Sequence, residues 1–277
     1  MGRVEKKMYR RARRQALLRK TLALGILVLI GLGALIRLRG MDELEAQHVP
    51  QPTPTPVASA YDETVETREV TLPAESWYAI QTGIYSTAEA AQEKRDAYAQ
   101  RGAPGYVNQD GEKWRVYIAC YGDKDDAAAV RERLSVNQGV ETYLHSWVCP
   151  EITLRLTGMV GQLDVVETGL TLMHQAANVL RDNAALLDGG ERTLGEARSV
   201  VAALDESIRL WQDTAGDRFT RPYPELVEME MQLAAGWKEK HAALQETESA
   251  TALSAAMKLQ AMALYDESCA LRQALME

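Results

Sequence analysis

One short phrase is written twice in this chain. IQTGIY at residues 80–85 aligns with VYIACY at residues 116–121, an offset of 36 residues. In each copy a strand-like run ends on an aromatic and passes through a short polar turn into an alanine-rich segment. Alternation with period two marks a strand, and a hydroxyl or acid before an alanine run marks a helix start. Two strand–turn–helix units this small cannot each bury a helix alone. The duplication therefore predicts one shared sheet with both helices on one side and the other side open.

The intervening residues complete the pattern. YAIQTG (78–83) reads as the first strand, and Ser86 or Thr87 caps a helix running to about Gln100. GYVNQ (105–109) is the second strand, and Asp110-Gly111 is a hairpin turn signal before WRVYIACY (114–121). Asp123 or Asp125 caps the second helix, Gly139 stops it, and VETYLHSW (140–147) is the last strand. The fold class is α+β: a ferredoxin-like β-α-β-β-α-β module over 75–148 with a four-stranded antiparallel sheet.

The 277 residues leave room for a second domain. From 150 to 277 apolar residues recur at 3-4 spacing: Leu163, Val166, Leu170, Met173, Ala177, Leu180, Ala184 and Leu187, then Leu194, Ala197, Val201, Leu204, Ile208 and Trp211. That rhythm, broken at Gly189-Gly190 and again from 216 to 224, predicts a helical bundle or coiled coil of three or four helices. Its stripes read as core. Trp211, Phe219 and Trp237 are candidate patches for a protein partner or self-association.

Charge places the two ends of the chain in different environments. The net charge is -8, yet residues 1–40 hold eleven basic residues against one acid. A basic tail over 1–16 precedes an uncharged run, TLALGILVLIGLGALI, that begins at Thr21 and ends at Ile36. As a helix that run rises about 24 Å, and flanking leucines extend it, so 17–38 is expected to be a transmembrane helix with snorkelling Arg19, Lys20 and Arg37. Arg37 and Arg39 stand where a cleaved leader needs small residues, which favours an uncleaved anchor. The basic flank orients the N-terminus to the cytoplasm and the rest outside it, across a membrane crossed once. From 39 to 74 the chain is polar, with alternating proline in VPQPTPTP, and reads as a disordered stalk.

Several functions are excluded. The acidic exterior argues against nucleic acid. Among the four histidines and three cysteines no cluster has metal-ligand spacing, so neither a metal nor a cofactor is expected. Cys120, Cys149 and Cys269 cannot all pair internally; a chain outside the cytoplasm can still use one disulfide, but no framework is implied and they read as isolated buried thiols. Asp125 with Asp126, and Glu89 with Glu93, are acids at helix starts and on exposed faces rather than catalytic pairs. No nucleophile has a recognisable partner, so the chain is expected to be no enzyme.

Residues 76–147 resemble the SPOR domain, the peptidoglycan-binding module of bacterial cell-division and sporulation proteins. Residues 80–85 (IQTGIY) resemble its VQxGxF signature, and 115–121 (RVYIACY) resemble its RVxxGxF. Ala119 stands in place of the second glycine, and Ile84 where some members carry a small polar residue facing the glycan. The resemblance implies binding of glycan strands stripped of stem peptides, on the sheet face away from the helices. Strand alternation then names the residues. If Ile80, Val116 and Ile118 face the helices, Gln81, Arg115, Tyr117, Tyr143 and His145 form one outward platform. Trp114, at the strand start, and Ile84 complete the candidate glycan site. Flat rings beside amide and guanidinium donors are what sugar rings and hydroxyls require. Alternatively Arg115 pairs with a surface acid such as Glu112, and the tyrosines are simply strand formers. A protein scaffold whose module no longer holds glycan is the competing function.

Overall fold

The computed structural model describes residues 64–218 and 223–276. The basic tail, the transmembrane segment expected at 17–38, most of the expected stalk and Phe219 lie outside the described residues. Among those described, no helix is long and apolar enough to cross a membrane.

The module contains β2 (Glu75–Tyr85), α1 (Ala88–Ala99), β3 (Tyr106–Asp110), β4 (Lys113–Tyr121), α2 (Lys124–Gln138) and β5 (Tyr143–Cys149). Its strands form one antiparallel sheet in the order β3-β4-β2-β5. The local signals act as expected. The Thr87 hydroxyl accepts from the Ala90 amide at 3.3 Å, and the Asp123 carboxylate accepts from the amides of Asp125 and Asp126. Gly139 ends α2 with φ 63°, and Gly111 turns the β3–β4 hairpin with φ 59°; both values favour glycine. Ile80, Ile118, Ala119 and Tyr98 form a small core between the sheet and α1 and α2.

The pairing of β2 with β4 shifts twice. Ile80 opposes Ala119, Gln81 opposes Tyr117, and Gly83 opposes Val116. One extra residue on β4 (Ile118) is followed by one on β2 (Thr82). The second bulge restores the register, so Ile84 lies opposite Arg115 on the face that also carries Gln81 and Tyr117.

Two strands outside the module were not expected. β1 (Val65–Leu72), in the predicted stalk, pairs antiparallel with β6 (Ile152–Met159), in the predicted bundle. VETREVTL and ITLRLTGM both alternate: Val70, Leu72, Ile152 and Leu156 are buried, while the Thr67–Thr157 and Thr71–Thr153 hydroxyl pairs lie on the exposed face at 2.8 and 3.0 Å. The stalk boundary at 74 and the bundle boundary at 150 are corrected accordingly. This ribbon brackets the module, with β1 entering it and β6 leaving it. Arg68 fastens it to the following helix through Asp164 at 2.5 Å and Glu167 at 3.4 Å.

That helix is α3 (Val160–Asp188), followed by α4 (Leu194–Arg218), α5 (Pro224–Ala235), α6 (Trp237–Gln245) and α7 (Ala250–Ala274). The residues of the 3-4 pattern on α3 are all buried, and those on α4 are buried apart from the partly buried Leu194. The described part of the bundle has five helices rather than three or four. Gly236 splits α5 from α6 while staying right-handed helical, so the apolar rhythm passes through it. Ser249 caps α7 by accepting from the Ala252 amide at 3.1 Å. Trp211 and Trp237 are core rather than partner patches. They are 5% and 2% exposed, and their indole N–H groups donate to Val165 O and Asp205 Oδ1, both at 3.0 Å.

Candidate functional site

The sheet face away from α1 and α2 carries Trp77, Ala79, Gln81, Tyr117, Cys120, Tyr143, His145, Trp147 and Cys149, as the strand registers require. Most of this list is apolar, and that end of the face is not open. α3 and α7 close over it. Tyr265 of α7 stacks on Trp77 at 4.1 Å and meets Trp147 edge-on at 5.3 Å. Its hydroxyl donates to Trp147 O at 3.0 Å and Glu75 O at 2.9 Å, and accepts from the Cys149 amide at 3.2 Å. At the β3 edge, Asp266 accepts from Tyr106 Oη at 2.8 Å and Asn108 Nδ2 at 3.0 Å. At the far corner Arg272 donates to Pro73 O and Pro150 O.

α3 contributes a polar cluster to the same seam. Glu75 accepts from Trp77 Nε1 at 2.9 Å, Asn178 Nδ2 at 3.2 Å, Arg181 Nη1 at 3.4 Å, and His174. The Arg181 guanidinium lies over the Trp77 ring, 4.5 Å from its centre. Burial pulls the Glu75 carboxyl upward, but the donors led by His174 outweigh it and hold the group at about 2.

The physical reason for the cover is surface chemistry. Trp77, Ala79, Tyr117 and Trp147 would expose a continuous apolar patch, and burying it against α7 removes that area from water. The expectation of a bare face is therefore corrected for this half of the sheet. Tyr117 is fully buried and cannot serve on a platform. Its hydroxyl shares a 2.8 Å hydrogen bond with His145 Nδ1, and its ring stacks on His145 and lies tilted against Trp147.

The other end stays uncovered. Gln81, Gly83, Ile84, Arg115, Tyr143, Leu144 and His145 line a hollow of about 340 Å³. Tyr143 and Ile84 stand on its rim, 61% and 50% exposed. Gln81 forms its floor, 5% exposed. Arg115 ties floor to rim: Nη1 donates to Gln81 Oε1 at 2.9 Å, and Nε donates to Asp110 Oδ2 at 2.8 Å. The acid that holds Arg115 is Asp110, across the hairpin, rather than Glu112. Burial, then the Arg115 charge, push the His145 imidazole below its ordinary value, so the ring is neutral at pH 7. Trp114 is not part of the hollow. It opposes Tyr85 and Gln109 on the opposite face from Arg115. Of the seven residues expected at the site, the structure brings five together, namely Gln81, Ile84, Arg115, Tyr143 and His145. It adds Gly83 and Leu144.

Residues 74–144 match the family model of the SPOR domain. SPOR is a peptidoglycan-binding family associated with cell division, and a binding module rather than a catalytic one. The searches of the curated proteins and of the solved structures gave no match. The hollow lies inside the matched SPOR segment at every position but His145, the residue that follows it.

With Asp110 sharing the Arg115 charge, the lining is close to neutral. It offers a flat ring, an aliphatic rim and directed amide and guanidinium groups. Such a lining suits a hydroxyl-rich ligand with apolar ring faces better than a polyanion.

Proposed function

We propose that this protein is a membrane-anchored binder of peptidoglycan glycan strands stripped of their stem peptides, acting at bacterial division or sporulation septa. The observation that carries the reading is the hollow formed by Gln81, Ile84, Arg115, Tyr143 and His145 at the uncovered end of the SPOR sheet. A sugar ring stacks on Tyr143 and Ile84, and its hydroxyls and acetamido groups meet Gln81 and the Arg115 fork. The apolar run from Thr21 to Ile36 supports a single-pass anchor with a cytoplasmic N-terminus. The helical region after β6 supplies a surface for protein partners or self-association. No catalytic step is assigned to the chain.

The test is co-sedimentation of the full-length protein with purified peptidoglycan, untreated or pretreated with an amidase that removes stem peptides. Binding increases after pretreatment and falls at least tenfold in Tyr143→Ala. Failure to sediment with either preparation refutes the glycan role.

One observation favours a second reading, a protein scaffold whose SPOR module no longer holds glycan. Half of its sheet face is occupied by α3 and α7. Crosslinking in cells separates the two, because the scaffold gives protein adducts and a diffuse membrane distribution without septal enrichment.

A further inference from the structure

Among the described residues the three cysteines are reduced and buried, but they are not equivalent. Cys120 sits at the end of β4, paired across from Ala79. Cys149 and Cys269 lie near one another at the seam between sheet and bundle, each thiol the largest influence on the other's ionisation. The surrounding contacts explain why they meet. Cys269 lies one helical turn beyond Tyr265 and just short of Arg272 on the same side of α7. Tyr265 holds Trp147 O and the Cys149 amide, while Arg272 holds Pro150 O at 3.2 Å. The helix is thus pinned to the β5 strand on both sides of Cys269, directly over Cys149.

We infer that Cys149 and Cys269 form a native disulfide that joins the SPOR sheet covalently to α7. The step is thiol–disulfide exchange with a disulfide donor, either an exported oxidoreductase or a small-molecule disulfide. The Cys149 thiolate attacks one sulfur of the donor disulfide and expels the other as a thiolate. The Cys269 thiolate then attacks the Cys149 sulfur and expels the donor's second thiolate. Two protein thiols lose two electrons and two protons, and the donor becomes two thiols. Cys149 is fully buried and Cys269 is 5% exposed, so exchange occurs while the chain folds, before α7 is fully seated.

Native geometry and chain statistics favour different products. In an unfolded chain the shorter loop is easier to close, so Cys120 with Cys149 is the pairing expected without structure. Selection of Cys149 with Cys269, across a much longer loop, requires the folded seam.

The experiment is refolding of the full-length protein in detergent from urea and reductant into a buffer of reduced and oxidised glutathione. Free thiols are then alkylated and tryptic peptides are mapped by mass. The expected product joins the peptide containing Cys149 to the peptide containing Cys269 and leaves Cys120 alkylated. The oxidised protein melts on the order of 10 °C above the reduced one. Cys120→Ser leaves the cross-link in place, and Cys269→Ser abolishes it. Three alkylated thiols, or a linkage through Cys120, would overturn the inference, and mapping of the unsubstituted protein alone decides between them.

Discussion

Glu230 is a buried titratable group of the bundle with large consequences for stability. It lies on α5, 1% exposed, against Gly169 of α3 and Trp211 of α4, and neither carboxylate oxygen has a hydrogen-bond partner. Burial alone pushes its pKa from 4.5 to about 9, so the folded protein keeps it protonated at pH 7. The sign of the linkage follows from the raised value. Below pH 4.5 both folded and unfolded forms are neutral, and the site carries no penalty. As pH rises toward 9 the unfolded chain ionises while the folded one resists, and stability is lost throughout that window. At about 1.4 kcal/mol per unit, the loss between pH 4.5 and 7 is on the order of 3 kcal/mol. Glu230→Gln keeps the shape and removes the ionisation. Its advantage over the wild type should therefore grow by about 3 kcal/mol between pH 4.5 and pH 7. Urea unfolding curves of the two proteins, taken at both pH values and extrapolated to water, measure this directly. A difference between them that stays constant with pH would refute the assignment of an unpartnered, protonated Glu230.

Other contacts give equally definite expectations. A Cβ at Gly169 would meet the Glu230 carboxyl and the Trp211 ring at 2.6 Å, so Gly169→Ala should destabilise the bundle by about 1–3 kcal/mol in urea unfolding. Tyr265→Phe keeps the stack on Trp77 but removes the hydroxyl that serves Glu75, Trp147 and Cys149, at a cost of about 1–3 kcal/mol by thermal unfolding. Glu75, held at about 2, stabilises the fold above pH 4.5 and loses that contribution as pH falls toward 2. Glu75→Gln should flatten the acid limb of the stability profile by about 3 kcal/mol across that window.

How much of this was legible before the structure depends on how far apart the interacting residues lie. The β-α-β-β-α-β module was readable because its signals are local: a capping Thr87, a capping Asp123, a stop at Gly139 and a turn at Gly111. The buried stripes of α3 and α4 were readable for the same reason, since their period is set within each helix. The β1–β6 ribbon was not read, because VETREVTL follows a proline-rich stretch and its partner lies beyond the whole module. Its alternation was the available signal. The cover over the sheet had a signal too. Trp77 and Trp147 share strand parity with Gln81 and Tyr143, and a face holding two tryptophans is rarely left in water. Attention to the polar residues alone picked out the end of the face that stays uncovered and missed the end that does not. Trp114 was misplaced because its position at a strand start was weighed above its parity.

The ribbon also bears on how freely this SPOR module can be moved. Strands β1 and β6 make it a detour out of a hairpin whose other end is rooted in α3. Cutting at the usual family borders would strand Ile152 and Leu156 without their partners and bare Trp77, Tyr117 and Trp147 together. During synthesis β1 emerges first and must wait, unpaired, until the entire detour has left the ribosome. In this chain the portable piece is the ribbon, module and helices as one body, and grafting experiments should carry all three.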